Sequence, residues 1–172
     1  MITVVCATNR PGNHTRKVVQ KYYELVKAKD KTCSILSMED LPNDFAFNDT
    51  YGKRSDAFQE LLDKHLIPAD KLVVISPEYN GSFPGVFKMF IDAIKPEYWH
   101  GKKACLVGVA AGRAGNVRGM DHLIQIFHHL KMTVLPTQIP ISSLGAIMDD
   151  EEFNHSETVH LMENQLEEFL NF

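Results

Sequence analysis

The sequence predicts an α/β protein, a three-layer sandwich in which a five-stranded parallel sheet carries helices on both faces. Short apolar runs alternate along the chain with longer segments whose apolar residues recur at helical spacing. The runs are nearly continuous in Val, Ile, Leu and Cys, as strands must be when crossover helices bury them on both sides. A chain of 172 residues with 44% hydrophobic content suits one well-buried core, hence a single domain over 1–172.

The first run, ITVVCA (2–7), is β-branched and ends in a polar stretch holding Gly and Pro, TNRPGNHT. Val18, Tyr22, Leu25 and Val26 then share one helical face. TCSILS (32–37) reads as the second strand, and Phe58, Leu61, Leu62 and Leu66 define a helix over about 54–67. KLVVIS (71–76) is the third strand, and the helix at 84–94 is entered through Pro84, whose fixed φ suits a first turn. KKACLVGVA (102–110) is the fourth strand, followed by a helix over about 116–130 carrying Met120, Leu123, Ile124 and Phe127. A short fifth strand, MTVLP (132–136), and a helix at about 155–170 with Val159, Met162, Leu166 and Phe169 on one face complete the pattern.

With 18 basic residues against 22 acidic ones, the net charge of -4 offers no broad attraction to nucleic acid or to an anionic membrane. The N-terminus lacks a basic, signal-like start and no stretch approaches a membrane span, so the expected location is the cytoplasm. Cys6, Cys33 and Cys105 lie in apolar runs without a C-x-x-C pair and read as buried structural thiols. His128 and His129 are adjacent on one helix and point apart, while His122 and His129 are two turns apart, so no metal site is expected. The Phe87, Phe90 and Phe127 stripe and the methionines fit core packing.

In an open parallel sheet ligands bind beyond the carboxyl ends of the strands, which singles out loops 7–15, 77–84 and 110–118. In the first, Thr8, Asn13 and Thr15 supply donors, His14 lies in the same turn, and Arg10 adds a guanidinium beside a helix N-terminus. Two readings stand: a phosphate site, or Asn13 as a helix cap with Arg10 in solvent. The loop carries neither G-x-G-x-x-G nor G-x-x-x-x-G-K-[ST], so a dinucleotide fingerprint and a Walker loop both describe it poorly. In the second, PEYNGSFPG, Pro77 and Pro84 stiffen the ends and Gly81 permits unusual dihedrals, leaving main-chain groups fixed at the sheet edge. Glu78, Tyr79 and Asn80 between them, with Ser82 and Phe83, suit a planar heterocycle; the other reading is a tight turn with solvated side chains. In the third, Ala110, Ala111, Gly112 and Gly115 leave the backbone open to close approach, or form a plain turn with Asn116 capping the next helix.

Together, ATNRPGNHT, SPEYNGSFPGVFKMFID and AAGRAGNVRG resemble the NADPH-dependent FMN reductase family over residues 2–136. The family's first loop usually reads G-S-x-R-x-x-S-x-[NT], where this chain has Ala7, Thr8, Arg10, Asn13 and Thr15. Its P-E-Y-N is matched fully by Pro77, Glu78, Tyr79 and Asn80, and continues through Pro84, Gly85, Lys88 and Asp92. The resemblance implies a flavodoxin-like strand order 2-1-3-4-5, the FMN phosphate in the first loop and the isoalloxazine against the other two. It also implies NADPH or NADH as donor, a small-molecule electron acceptor, and a homodimer or homotetramer. Asn13 replaces the usual serine but keeps a donor, and Ala110 stands where many members place Ser or Thr, removing one side-chain contact.

Flavin chemistry needs no side-chain acid, base or nucleophile, and the sequence offers no G-x-S-x-G elbow and no metal-ligand spacing. An FMN-binding electron carrier and a non-catalytic flavin-binding module stay open, though ATNRPGNHT departs from the T-x-T-G-x-T of such carriers. The segments 38–52 and 140–155 are left unoriented, the first as a possible edge of the site, the second as partner-packed or solvated.

Overall fold

A computed structural model describes residues 1–51, 53–148 and 152–172; Gly52, which ends the unoriented 38–52 segment, and residues 149–151 of the 140–155 segment lie outside the described residues. The described elements are β1 (Ile2–Cys6), α1 (Thr15–Ala28), β2 (Cys33–Ser37), α2 (Asp56–Leu61), β3 (Lys71–Pro77), α3 (Gly85–Asp92), β4 (Lys103–Val109), α4 (Val117–His129), β5 (Thr133–Val134), β6 (Ile139–Ile141) and α5 (Ser156–Asn171). Ser55 caps α2, its Oγ accepting from Phe58 N at 3.2 Å, and the helix runs on through a π-helical turn, Leu62–Leu66. All strand pairs in the sheet are parallel, in the order β2-β1-β3-β4-β5.

Alternation along the strands sends successive side chains to opposite faces. Val5, Leu36, Leu72, Val74, Ala104 and Leu106 face α2, α3 and α4, where Phe58, Phe87, Phe90, Leu123 and Phe127 cover them. Val4, Cys6, Val73, Ile75, Cys105 and Val107 face α1 and α5, packed by Val18, Tyr22, Val26, Met162, Leu166 and Phe169. The aromatic stripe is therefore core. Cys6 and Cys105 are buried, whereas Cys33 is only half-buried. Burial raises the Cys6 pKa to about 11 and that of Cys105 to about 12, so both remain thiols at neutral pH.

The expected fifth strand is split, and this is a departure from the sequence reading. β5 pairs with Lys103 and Ala104, the chain leaves the sheet after Leu135, and β6 returns to pair with Val107–Val109 on the same flank. The start of the 140–155 segment is thus a sixth strand. The gap is bridged by Gln165 of α5, fully buried: its Nε2 donates to Leu106 O at 3.0 Å and Thr137 O at 2.9 Å, and its Oε1 accepts from Tyr22 OH at 3.0 Å. Among the described residues no helix is long and apolar enough to cross a membrane.

Candidate functional site

The first loop leaves the end of β1 directly under the N-terminus of α1. Asn13 caps that helix: its Oδ1 accepts from Arg16 N at 2.9 Å, while its Nδ2 donates to Arg10 O at 2.8 Å and Glu39 Oε2 at 3.2 Å. The capping reading of Asn13 is thus realised. Thr8 is fully buried, and its hydroxyl pairs with Tyr79 OH at 2.9 Å and accepts from Arg10 N at 3.2 Å. Gly12 holds φ at 66°, with open space where a Cβ would stand. Among the described residues no protein carbonyl accepts from the N–H of Gly12 or His14, and the first-turn amides of α1 have no helical partner by construction. The Thr15 side chain is buried beside them.

The second loop is a two-residue hairpin. Tyr79 and Ser82 exchange backbone hydrogen bonds at 2.8 and 3.1 Å around Asn80 (φ 51°) and Gly81 (φ 76°), the paired positive dihedrals of a type I′ turn. Glu78 N donates to Val109 O at 2.8 Å, so this loop hangs on the end of β4. Arg118 of α4 lies over Gly81 and within 3.6 Å of Glu78, and Ser82 Oγ meets His122 Nδ1 at 2.8 Å. Phe83 turns toward the core, edge-on to Phe87 at 6.4 Å. Lys88 and Asp92 pair with each other on the surface of α3, at 2.7 Å.

The third loop is shaped by crowding beneath it. A Cβ on Gly108 would stand 2.1 Å from Gly115 O, and one on Gly115 would stand 2.6 Å from Pro140. Asn116, fully buried at φ 63°, does not cap α4 with its side chain; Nδ2 donates to Ser76 O at 2.9 Å and Pro77 O at 3.1 Å, tying this loop to the end of β3. Above this base Gly112 is open, with nothing within 4 Å of a would-be Cβ.

The three loops meet in a cleft of about 500 Å³ lined by Arg10, Asn13, His14, Thr15, Pro77, Glu78, Tyr79, Ala110 and Ala111. Glu78, Ala110 and Ala111 also line an adjoining hollow of about 410 Å³, which adds Asn80, Gly81 and Gly112. Thr8 and Gly115 line neither; Thr8 supports Tyr79 from below, and Gly115 packs on Pro140. Sequence reasoning missed Leu144 and Gly145, which close one wall of the cleft and are held there by Leu144 N donating to Ala110 O at 3.1 Å. The described part of segment 38–52 buries Phe45, exposes Phe47 and Tyr51, and with Asn9, Pro11, Val86 and Met89 lines a hollow of about 440 Å³ that shares Pro11 with the cleft. Among the described residues no group of three or more His, Cys, Asp or Glu is arranged to hold a metal ion.

The donor set fits a phosphorylated, planar cofactor: free amides, a buried hydroxyl and a guanidinium at one end, and a flat, small-residue corridor with Tyr79 at the other. The sequence model of the NADPH-dependent FMN reductase family matches residues 1–145, which contain all three loops. The chain belongs to this family. An FMN-dependent NADPH-azoreductase of Staphylococcus aureus is 25% identical over 139 residues, spanning 79% of this chain and 73% of that protein. The fold is shared with FerB, a flavoenzyme NAD(P)H:(acceptor) oxidoreductase from Paracoccus denitrificans, at TM-score 0.78 and 21% identity over 99% of this chain and 94% of that one. A flavodoxin from Pseudomonas aeruginosa superposes at TM-score 0.65 and 12% identity over 98% of each chain, so the flavodoxin-like order 2-1-3-4-5 holds, with β6 as an addition. Within the family's P-E-Y-N motif, the structure assigns the turn to Asn80–Gly81 and the strand end to Pro77.

Proposed function

We propose that this chain, acting as one FMN-binding domain, is an NAD(P)H-dependent FMN oxidoreductase that delivers electrons to a small acceptor such as a quinone, a flavin, an azo compound or a metal oxyanion. The observation that carries this is the cleft itself, where unpaired amides and small residues from three loops converge at the carboxyl ends of β1, β3 and β4 in a member of that family. FMN held there would supply the redox chemistry, taking up hydride from a reduced nicotinamide and passing the electrons to a second substrate.

The chain's part is positioning. The amides of Gly12, His14 and Thr15, the Thr15 hydroxyl and the Arg10 guanidinium would hold the phosphate, favoured by the positive end of α1. Asn13 caps this loop through its Oδ1, with its Nδ2 as a further donor for the phosphate, and Thr8 supports the loop through Tyr79. Pro77, Glu78, Tyr79, Asn80 and Gly81 on one side, and Ala110, Ala111 and Gly112 on the other, would frame the isoalloxazine with main-chain donors and flat apolar contact, while Gly115 supports its loop by packing on Pro140. With no side chain required for proton transfer, the open hollow beside Gly112 leaves room for donor and acceptor to alternate. The exposed aromatics Phe47 and Tyr51 support a homodimer or homotetramer, and the family's cofactor use supports a cytoplasmic setting.

The deciding experiment is an absorbance titration of purified protein with FMN, followed by NADPH under anaerobic conditions. Bound-flavin bands that bleach establish the reductive half-reaction. Bound flavin that stays oxidised indicates a carrier or a non-catalytic module, and an unbound flavin refutes the cofactor assignment.

A further inference from the structure

One donor expected to meet a phosphate in the first loop, the Asn13 amide, is engaged by a carboxylate. Asn13 Nδ2 has two hydrogens, and both are used, one on Arg10 O at 2.8 Å and one on Glu39 Oε2 at 3.2 Å. The same Glu39 oxygen accepts from Arg16 Nη1 at 3.2 Å, so one carboxylate gathers an amide and a guanidinium from the start of α1. Glu39 is held there from its own backbone, its N–H donating to Ser37 Oγ at 3.2 Å at the end of β2. Its side chain is 22% exposed and Arg16 is 67% exposed, so the arginine is free to swing and the acid is not.

We propose that Glu39 is an internal competitor for the FMN phosphate, occupying the Asn13 amide and the neighbouring Arg16 until the cofactor arrives and setting how firmly it is kept. This rests on the reading that the FMN phosphate docks in the first loop. A phosphate monoester carries nearly two negative charges at neutral pH. Its arrival either draws Asn13 and Arg16 away from Glu39, stranding a half-buried carboxylate, or leaves them in place and meets a like charge across the loop. Both routes subtract from affinity, and both disappear when the carboxylate becomes a neutral amide. Gln at this position still accepts from Asn13 and Arg16, so the cap on α1 and the loop conformation are retained.

The test is fluorescence-quenching titration of FMN and of riboflavin, which lacks the phosphate, into wild type and Glu39→Gln at low and high salt. The expected result is FMN binding roughly three- to tenfold tighter in Glu39→Gln, the scale of one screened like-charge contact near a surface, with riboflavin unchanged. The gap narrows as salt rises. Glu39→Lys goes further in the same direction and decides the matter should Glu39→Gln prove misfolded by circular dichroism. Unchanged or weaker FMN binding in these variants overturns the proposal, and so does equal tightening of FMN and riboflavin, which would put the effect on the ring. Failure of the folded wild type to bind FMN overturns the cofactor reading instead, and is told apart by the wild-type titration alone.

Discussion

Replacing Gln165 by Leu tests how the split fifth strand is held. The glutamine is fully buried and its amide makes three contacts at 2.9–3.0 Å, to Leu106 O, Thr137 O and Tyr22 OH. Leucine matches it in volume and satisfies none of them. Leu106 O also sits in the β4 ladder, so its loss is partial. Among the described residues, Tyr22 OH keeps only Cys105 Sγ at 3.7 Å, a weak partner, and Thr137 O loses its one side-chain donor. Two stranded polar groups at about 1–3 kcal/mol each, offset by the added apolar burial of leucine, give a net loss of about 2–4 kcal/mol. Urea denaturation followed by circular dichroism measures it as a drop in the midpoint at constant slope. Tyr22→Phe alone should cost about 1 kcal/mol, and the double variant less than the sum, because both remove one hydrogen bond. A Gln165→Leu protein within about 0.5 kcal/mol of the parent would refute the bridging role. Because β6 leads into Leu144 and Gly145 at the cleft wall, the same variant should also loosen FMN.

Three further outcomes follow from the site and its surroundings. Arg10→Ala should weaken FMN binding by about 1.5–3 kcal/mol, the worth of a charge-assisted hydrogen bond, in a flavin titration; unchanged affinity would put the phosphate elsewhere. Tyr79→Phe, which breaks the 2.9 Å link to Thr8 between the first and second loops, should raise the FMN dissociation constant several-fold and leave the melting temperature nearly unchanged, whereas Tyr79→Ala that chiefly unfolds the chain would make Tyr79 a core residue. His65 is buried against Ser34, Nδ1 to Oγ at 2.9 Å, and burial, then the neighbouring Lys64 charge, lower its pKa below the ordinary 6.5. The unfolded chain therefore binds a proton first, so stability due to His65 is complete above pH 6.5 and is lost as pH falls through the window down to the lowered folded value. Urea midpoints between pH 5 and 8 should show that decline in wild type and a flatter profile in His65→Gln; a steeper one would reverse the sign.

The elements most legible in the sequence are those whose local signal and tertiary role agree. β1, β3 and β4 read clearly because burial on both faces leaves them nearly uninterrupted by polar residues. Of the loops, the second reads clearly as a constrained turn, because Gly81 and paired prolines leave few conformations to choose from, whereas in the third Asn116 ties down the end of β3 and does not cap α4. β6 did not, because Pro140 in its centre is a mark against a strand, yet at a sheet edge the missing N–H faces away from the ladder and nothing is lost. The wall formed by Leu144 and Gly145 was hidden with it, since a loop has no periodicity to orient it. Gln165 carried a signal of a different kind, a polar residue one turn from Met162 on an inward helical face, legible only once one asks which carbonyls a split strand leaves short. The engagement of Asn13 by Glu39 spans 26 positions between separate loops, and no local rule links them.

That third-loop geometry is set from beneath is testable with two glycines of one neighbourhood. Gly108 has ordinary dihedrals, so alanine is welcome to the backbone, but its Cβ would stand 2.1 Å from Gly115 O and 3.1 Å from Asn116 Cβ. Those atoms belong to main chain and to a fully buried side chain, and neither can step aside as a flexible tip would. Relief must come from lifting Gly115 and Asn116, which breaks the Asn116 bonds to Ser76 O and Pro77 O and frees the end of β3 from the start of α4. Gly108→Ala should therefore cost about 1–3 kcal/mol by overpacking and weaken FMN at the same time. Gly112→Ala meets nothing within 4 Å, so it should leave the urea midpoint where it was and weaken FMN only if the ring passes close over the loop. A Gly108→Ala protein with both stability and FMN affinity intact would show that the loop yields without cost, and that the close packing of Gly108, Gly115 and Pro140 does not position the cofactor.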